Sequence, residues 1–168
     1  MLTKKLAVSA VVLLSLLGGH AAASDRPGKG DMAPTSLGLD REGNELDVAQ
    51  GAGKVQVVTF WATWCAPCRR ELPMLEGIQR VAKDRVRVVA VNIEERSKFK
   101  TIAKALDSMT LTIAHDFNKV ASSPYGVDGI PHLVIIGRDG KILAVHRGYS
   151  EESIDGILAE INGELAKP

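Results

Sequence analysis

An apolar run, Val55-Gln56-Val57-Val58-Thr59-Phe60, leads within five residues into Cys65-Ala66-Pro67-Cys68. No other feature constrains the fold of this chain as much. The run is short, β-branched and almost wholly apolar, which predicts a strand buried on both faces at a central position of a mixed sheet. From about Ala66 to Lys83, Leu72, Leu75, Ile78, Val81 and Ala82 recur near helical spacing and predict a helix with one core face. Pro67 falls where an early helical position tolerates proline. Pro73 lies inside the helix and is expected to kink it. The two cysteines therefore sit at a strand-to-helix junction.

These are the only cysteines of the chain. A Cys-x-x-Cys that opens a helix after a strand is either a dithiol that cycles with a disulfide or half of a metal site. Cys65 falls at the helix N-terminus, where unpaired amide donors and the positive end of the macrodipole favour a thiolate. That makes Cys65 the expected nucleophile. Cys68, almost one turn later and less exposed, is the expected resolving thiol. Structural zinc usually takes four nitrogen or sulfur ligands. The remaining candidates, His115, His132 and His146, form no recognisable ligand spacing, so no metal site is expected.

The N-terminus reads as a leader. Lys4 and Lys5 supply a positive start, Leu6 to Leu17 is apolar, and Ala21-Ala22-Ala23 offers small residues for cleavage. The apolar stretch is short for a membrane span of roughly 20 residues. Residues 1–23 are thus a signal peptide or a retained N-terminal anchor, 24–34 a polar linker, and 35–168 one domain. Either way the domain is exported to a compartment where disulfides persist. A net charge of +1 and 4% aromatic residues argue against a nucleic-acid partner. Membrane contact is expected only if the leader stays uncleaved.

Beyond the cysteines, Val86 to Ile93 reads as a strand, and Ser97 as the cap of a helix through about Asp107 with Phe99, Ile102, Ala103 and Leu106 on its apolar side. Leu111 to Ala114 is a short strand candidate and Asn118 to Tyr125 a short helix or turn. His132–Ile136 and Lys141–His146 are strands joined by a turn at Gly137-Arg138-Asp139-Gly140. Ser150 caps a last helix through about Leu165, with Ile154, Ile157, Leu158 and Ile161 toward the sheet. Gly129-Ile130-Pro131 directly precedes a strand, where proline is tolerated. On chain statistics alone its peptide bond is trans.

From about Gly30 to Leu165 the chain resembles the thioredoxin fold, and within it the TlpA/ResA-like exported thiol-disulfide oxidoreductases. The resemblance is carried by Ala33-Pro34, by Phe60-Trp61-Ala62-Thr63-Trp64-Cys65-Ala66-Pro67-Cys68-Arg69-Arg70-Glu71-Leu72-Pro73, by Tyr125-Gly126-Val127 through Gly129-Ile130-Pro131, and by Gly137-Arg138-Asp139-Gly140-Lys141. It implies an α/β fold with a central mixed sheet flanked by helices, and a cis Pro131 beside the cysteines. The 38 residues from Ile93 to Pro131 exceed the gap in plain thioredoxins, which implies an inserted helix-strand segment before the cis-proline loop.

The same resemblance implies that Cys65 attacks and Cys68 resolves, in agreement with the helix argument, with no cofactor beyond the Cys65–Cys68 disulfide. Glu71, three residues after Cys68, resembles the active-site glutamate of ResA-like proteins and is placed to exchange a proton with Cys68. The bland alternative is a surface carboxylate beside Arg69 and Arg70, themselves either a docking patch or a solvated helix face. Thr59 stands where thioredoxin has a buried aspartate, so any buried acid-base role passes to Glu71. Trp64 is expected to cover the cysteines and offer an apolar contact, and Trp61 to pack in the core. Ala66 and Pro67 lie between the cysteines at the expected partner surface. The backbone of Ile130 is expected to pair with an extended partner segment. His132 is either a modulator of the Cys65 thiolate or a half-buried strand histidine.

The Ala-Pro dipeptide lacks the histidine of strongly oxidising relatives, which shifts the pair toward a reducing potential. The leading expectation is an exported reductase that takes electrons from a membrane donor and passes them to a disulfide in a partner protein. Apocytochrome c is the partner the family implies. The competing readings are an oxidant or isomerase, and a copper- or zinc-binding chaperone using the same cysteines. No Thr-x-x-Cys arrangement of a peroxidase is present.

Overall fold

The computed structural model describes residues 26–168. The expected leader at 1–23 lies outside them. Seven strands and three α-helices follow in the order β1 (Ser36–Leu39), β2 (Glu45–Asp47), β3 (Val55–Trp61), α1 (Ala66–Ala82), β4 (Val86–Asn92), α2 (Arg96–Ala105), β5 (Thr112–His115), β6 (His132–Ile136), β7 (Ile142–Arg147) and α3 (Glu151–Leu165). They form one sheet in the order β2-β1-β5-β4-β3-β6-β7. The strands β3, β4 and β5 run parallel, while β6, β7, β1 and β2 pair antiparallel. All seven residues of β3 are buried, as a central strand covered on both faces requires.

Strand alternation sorts the core into two layers. Val57, Trp61, Leu133 and Ile135 join Cys65, Cys68, Leu72, Leu75, Phe99, Ile157 and Ile161 under the helices. Val58, Phe60, Val134 and Ile136 join Leu37, Ala121 and Tyr125 on the other face. The inserted segment before the proline loop is present as α2 and β5. The 118–125 segment is a series of turns.

Several local expectations need correction. Helix α2 starts one residue before Ser97, with Glu95 at the N-cap position, and ends at Ala105. Ser97 lies inside the first turn and caps nothing there. Strand β5 is shifted one residue, to Thr112–His115. Val81 is 80% exposed and Leu158 is 37% exposed, so the apolar faces of α1 and α3 are narrower than their hydrophobic residues. Helix α1 runs on through Pro73. The last helix begins as read: Ser150 takes the N-cap position, and Ser153 Oγ bonds both its amide and its carbonyl. The turn at 137–140 is closed by Gly140 N–H to Gly137 C=O at 3.0 Å, with Gly140 at φ 81°, where a side chain is strained.

Candidate active site

Cys65 is the N-cap residue of α1, extended at φ −81°, ψ 101°, and its Sγ accepts a hydrogen bond from the Cys68 amide at 3.2 Å. A sulfur thus takes the place that an oxygen normally fills at a helix start. Pro67 sits in the first turn, where no amide donor is needed. Cys65 and Cys68 are joined by a disulfide. Cys65 is 5% exposed and Cys68 not at all. Trp64 beside them is 68% exposed, an unusually open position for an indole. Trp61 is core, as expected from the strand pattern. Ala66 is exposed and Pro67 half-buried at the same surface.

Glu71 is the buried acid of the site. Only 1% of it is exposed, and Thr59 on β3 donates its hydroxyl to Glu71 Oε2 at 2.6 Å. Burial pushes the carboxyl pKa up to about 7, against the hydrogen bond from Thr59 and the attraction of His146, which pull it down. The surface-carboxylate alternative is thereby corrected: residue 71 faces the sheet, while Arg69 and Arg70 stay exposed. Thr59 holds this acid without being one.

The Ile130–Pro131 peptide is cis. Ile130 is half-buried. With Trp64, Ile93, Lys119, Ser122 and Val127 it lines a groove of about 540 Å³ next to the cysteines.

His132 departs from the expectation. On β6 it pairs with Phe60 and packs edge-on against that ring, at 6.1 Å between centroids, in the layer opposite the cysteines. It is fully buried rather than half-buried, and neither ring nitrogen has a hydrogen-bond partner among the described residues. Burial, seconded by the cation of Arg147, pushes its pKa down to about 4 against the pull of Asp128. A neutral imidazole on the far face is no source of positive charge for Cys65. Strand period is the reason: Leu133, the next residue, takes the cysteine side. An unpaired buried polar group costs roughly 1–3 kcal/mol. His132→Leu, similar in volume, is therefore expected to raise the unfolding free energy by about 1–2 kcal/mol. Urea denaturation at pH 7 measures it, and a loss of stability shows that the ring nitrogens are satisfied after all.

Sequence reading missed Glu94. Its carboxylate accepts the Thr63 amide at 2.6 Å, the Thr63 hydroxyl at 2.8 Å and the Asn92 side-chain amide at 3.1 Å. Burial raises its pKa, but these donors and nearby Lys98 outweigh it and hold the carboxyl below the usual range. The signal lay in the parallel register: Trp61 pairs with Asn92, so the residues two beyond each, Thr63 and Glu94, meet at the carboxyl ends of the strands. Among the described residues no group of three or more His, Cys, Asp or Glu is arranged to hold a metal ion.

Comparison with known proteins agrees with this geometry. A sequence model of the Redoxin family matches residues 28–161. The thiol-disulfide oxidoreductase ResA of Bacillus cereus is 27% identical over 159 residues, covering 93% of this chain and 91% of that protein. The thioredoxin-like protein YneN of Bacillus subtilis is 32% identical over 122 residues, 71% of this chain and 72% of that one. A crystal structure from Chlorobium tepidum, assigned as a thiol:disulfide interchange protein DsbE, superposes with a TM-score of 0.74 at 31% identity, covering 83% of this chain and 99% of that one. With a cysteine pair at a helix start and a cis proline before β6, the chain belongs to the Redoxin family, as a thioredoxin-like thiol-disulfide oxidoreductase of the TlpA/ResA type.

Proposed function

We propose that this protein is an exported reductase of disulfides in partner proteins. The observation that carries the reading is the asymmetry of the pair. One sulfur caps a helix and keeps 5% exposure, and the other is fully buried three residues on, on the helix that carries Glu71, an acid titrating near neutrality.

In the dithiol form, the Cys65 thiolate attacks one sulfur of the partner disulfide. A mixed disulfide forms and one partner thiolate leaves. The Glu71 carboxylate takes the proton of Cys68, and the Cys68 thiolate attacks Cys65 Sγ. The second partner thiol is released and the Cys65–Cys68 disulfide remains. Two electrons have passed to the partner, and a membrane donor returns two to the enzyme. Trp64, Ala66, Pro67 and Ile130, backed by the buried Pro131, form the site against which an extended partner segment lies, with the Ile130 backbone offering strand-like pairing. Apocytochrome c is the favoured partner, by resemblance to the family. The working compartment is extracytoplasmic, the periplasm in a two-membrane cell, with residues 1–23 cleaved or kept as a tether.

The test is a redox titration against glutathione with a trapping arm. The reading expects a potential below about −250 mV, and stable capture of a disulfide-bearing partner by Cys68→Ser in cells. A potential near −120 mV identifies a strong oxidant instead. Reduced protein that retains stoichiometric copper against a chelator identifies a metal chaperone.

A further inference from the structure

We infer that Glu94 is a positioning residue for the nucleophile: by holding Thr63 it fixes the turn that presents Cys65. This rests on the reading of Cys65 as the attacking sulfur.

The turn runs from Ala62 to Cys65 and is closed by the Cys65 amide on the Ala62 carbonyl at 3.2 Å. Every polar atom of Thr63 is engaged. Its amide and hydroxyl go to the two oxygens of Glu94, and its carbonyl accepts Arg69 Nη1 at 2.6 Å. Glu94 is itself braced. Its amide donates to Asn92 Oδ1 at 3.0 Å, and its carbonyl lies 2.8 Å from His115 Nε2. The His115 ring stacks on Phe99 at 4.5 Å and on Phe117 at 5.2 Å. The clamp therefore links the turn before the nucleophile to the body of the inserted α2–β5 segment.

Its use follows from the redox cycle. In the oxidised form the disulfide restrains Cys65 covalently. Once that bond opens, Cys65 keeps its N-cap position, with the Cys68 amide aimed at its sulfur, only as far as the turn holds. A helix-capping amide lowers a thiol pKa only when the sulfur stays on it. Losing the clamp thus raises the proportion of protonated Cys65 and misplaces what thiolate remains. Small misplacements at a reacting atom are expensive.

Charge and hydrogen bonding are separable. Glutamine at 94 reproduces the clamp without the charge: its carbonyl accepts the Thr63 and Asn92 amides, and its NH2 donates to the Thr63 hydroxyl. Alanine removes both. The experiment measures iodoacetamide alkylation of Cys65 across pH in the full, freshly reduced chain, with insulin reduction in parallel and melting of the oxidised proteins as a control. Glu94→Ala is expected to slow alkylation at pH 7 roughly tenfold and move its midpoint upward. Glu94→Gln is expected within about threefold of the parent, and Thr63→Val, which keeps the amide bond but loses the hydroxyl, between the two.

A Glu94→Ala protein that melts lower but alkylates with the parental pH profile overturns the inference, because the residue is then only a brace of the fold. A Glu94→Gln protein as slow as Glu94→Ala overturns it too, since charge rather than the clamp then governs. Failure of the underlying reading looks different: the parent itself fails to alkylate selectively at Cys65, or turnover survives Cys65→Ser.

Discussion

Cys65→Ser is expected to lose thiol–disulfide exchange by roughly three orders of magnitude or more, while the domain keeps its fold and its melting temperature in the reduced state. Two features make this a clean test. Serine is a favoured N-cap residue, so its hydroxyl replaces the sulfur as acceptor for the Cys68 amide and α1 keeps its start. A hydroxyl does not ionise near neutral pH, so the nucleophile alone is removed. Cys68 offers no bypass, because it has no exposed surface for a partner disulfide to approach. Cys68→Ser is expected to behave differently, taking the first step and stopping at a mixed disulfide that mass spectrometry detects on Cys65. A mixed disulfide that forms on Cys68 in Cys65→Ser, or none on Cys65 in Cys68→Ser, contradicts the assignment of roles.

Glu71→Gln carries the second large effect, on stability and on chemistry together. The unfolded chain releases the Glu71 proton near 4.5, whereas the folded protein keeps it to about 7. The neutral acid's contribution is complete below pH 4.5 and is lost as pH rises through 7. At pH 8 the buried carboxylate weighs on the folded state by on the order of 3 kcal/mol. Glutamine there keeps a partner for the Thr59 hydroxyl and never ionises. Glu71→Gln is therefore expected to exceed the parent in urea resistance at pH 8 and to match it at pH 4.5.

His132 works in the opposite direction. Its folded pKa is depressed to about 4, so its contribution is present above about 6.5, and is lost as pH falls through 4. In the parent these two slopes oppose each other between pH 4.5 and 6.5. Removing Glu71 leaves the histidine slope, with stability rising with pH. On the proposed mechanism, Glu71→Gln no longer takes the proton of Cys68. Release from the mixed disulfide is expected to slow tenfold to a hundredfold, roughly, and the inflection near pH 7 in its rate to disappear. An unchanged inflection assigns that titration to another group.

Much of this site is legible in the amino-acid sequence. A β-branched apolar run, a Cys-x-x-Cys and a helical repeat are local patterns with local causes, and each appeared where its spacing placed it. The N-cap seat of Cys65 follows from the same arithmetic. The cis state of Pro131 came from resemblance, since chain statistics alone favour trans. What spacing left open was direction. Whether residue 71 faces Arg70 or the sheet, and whether His132 faces the cysteines or Phe60, depends on which side of an element is covered.

The amino-acid sequence by itself determined the reactive pair and the helix that seats it, because these rest on interactions within a dozen residues, and the class of fold followed from the family resemblance. Only the tertiary structure decided where the carboxylates lie. Glu71 titrates near neutrality because β3 and α1 close over it, with Thr59 its one donor among the described residues. Glu94 reaches Thr63 across 31 residues because β3 and β4 pair in parallel and end at the same level. Burial and strand register are properties of the assembled chain, and those two quantities set the titration of Glu71 and the reach of Glu94.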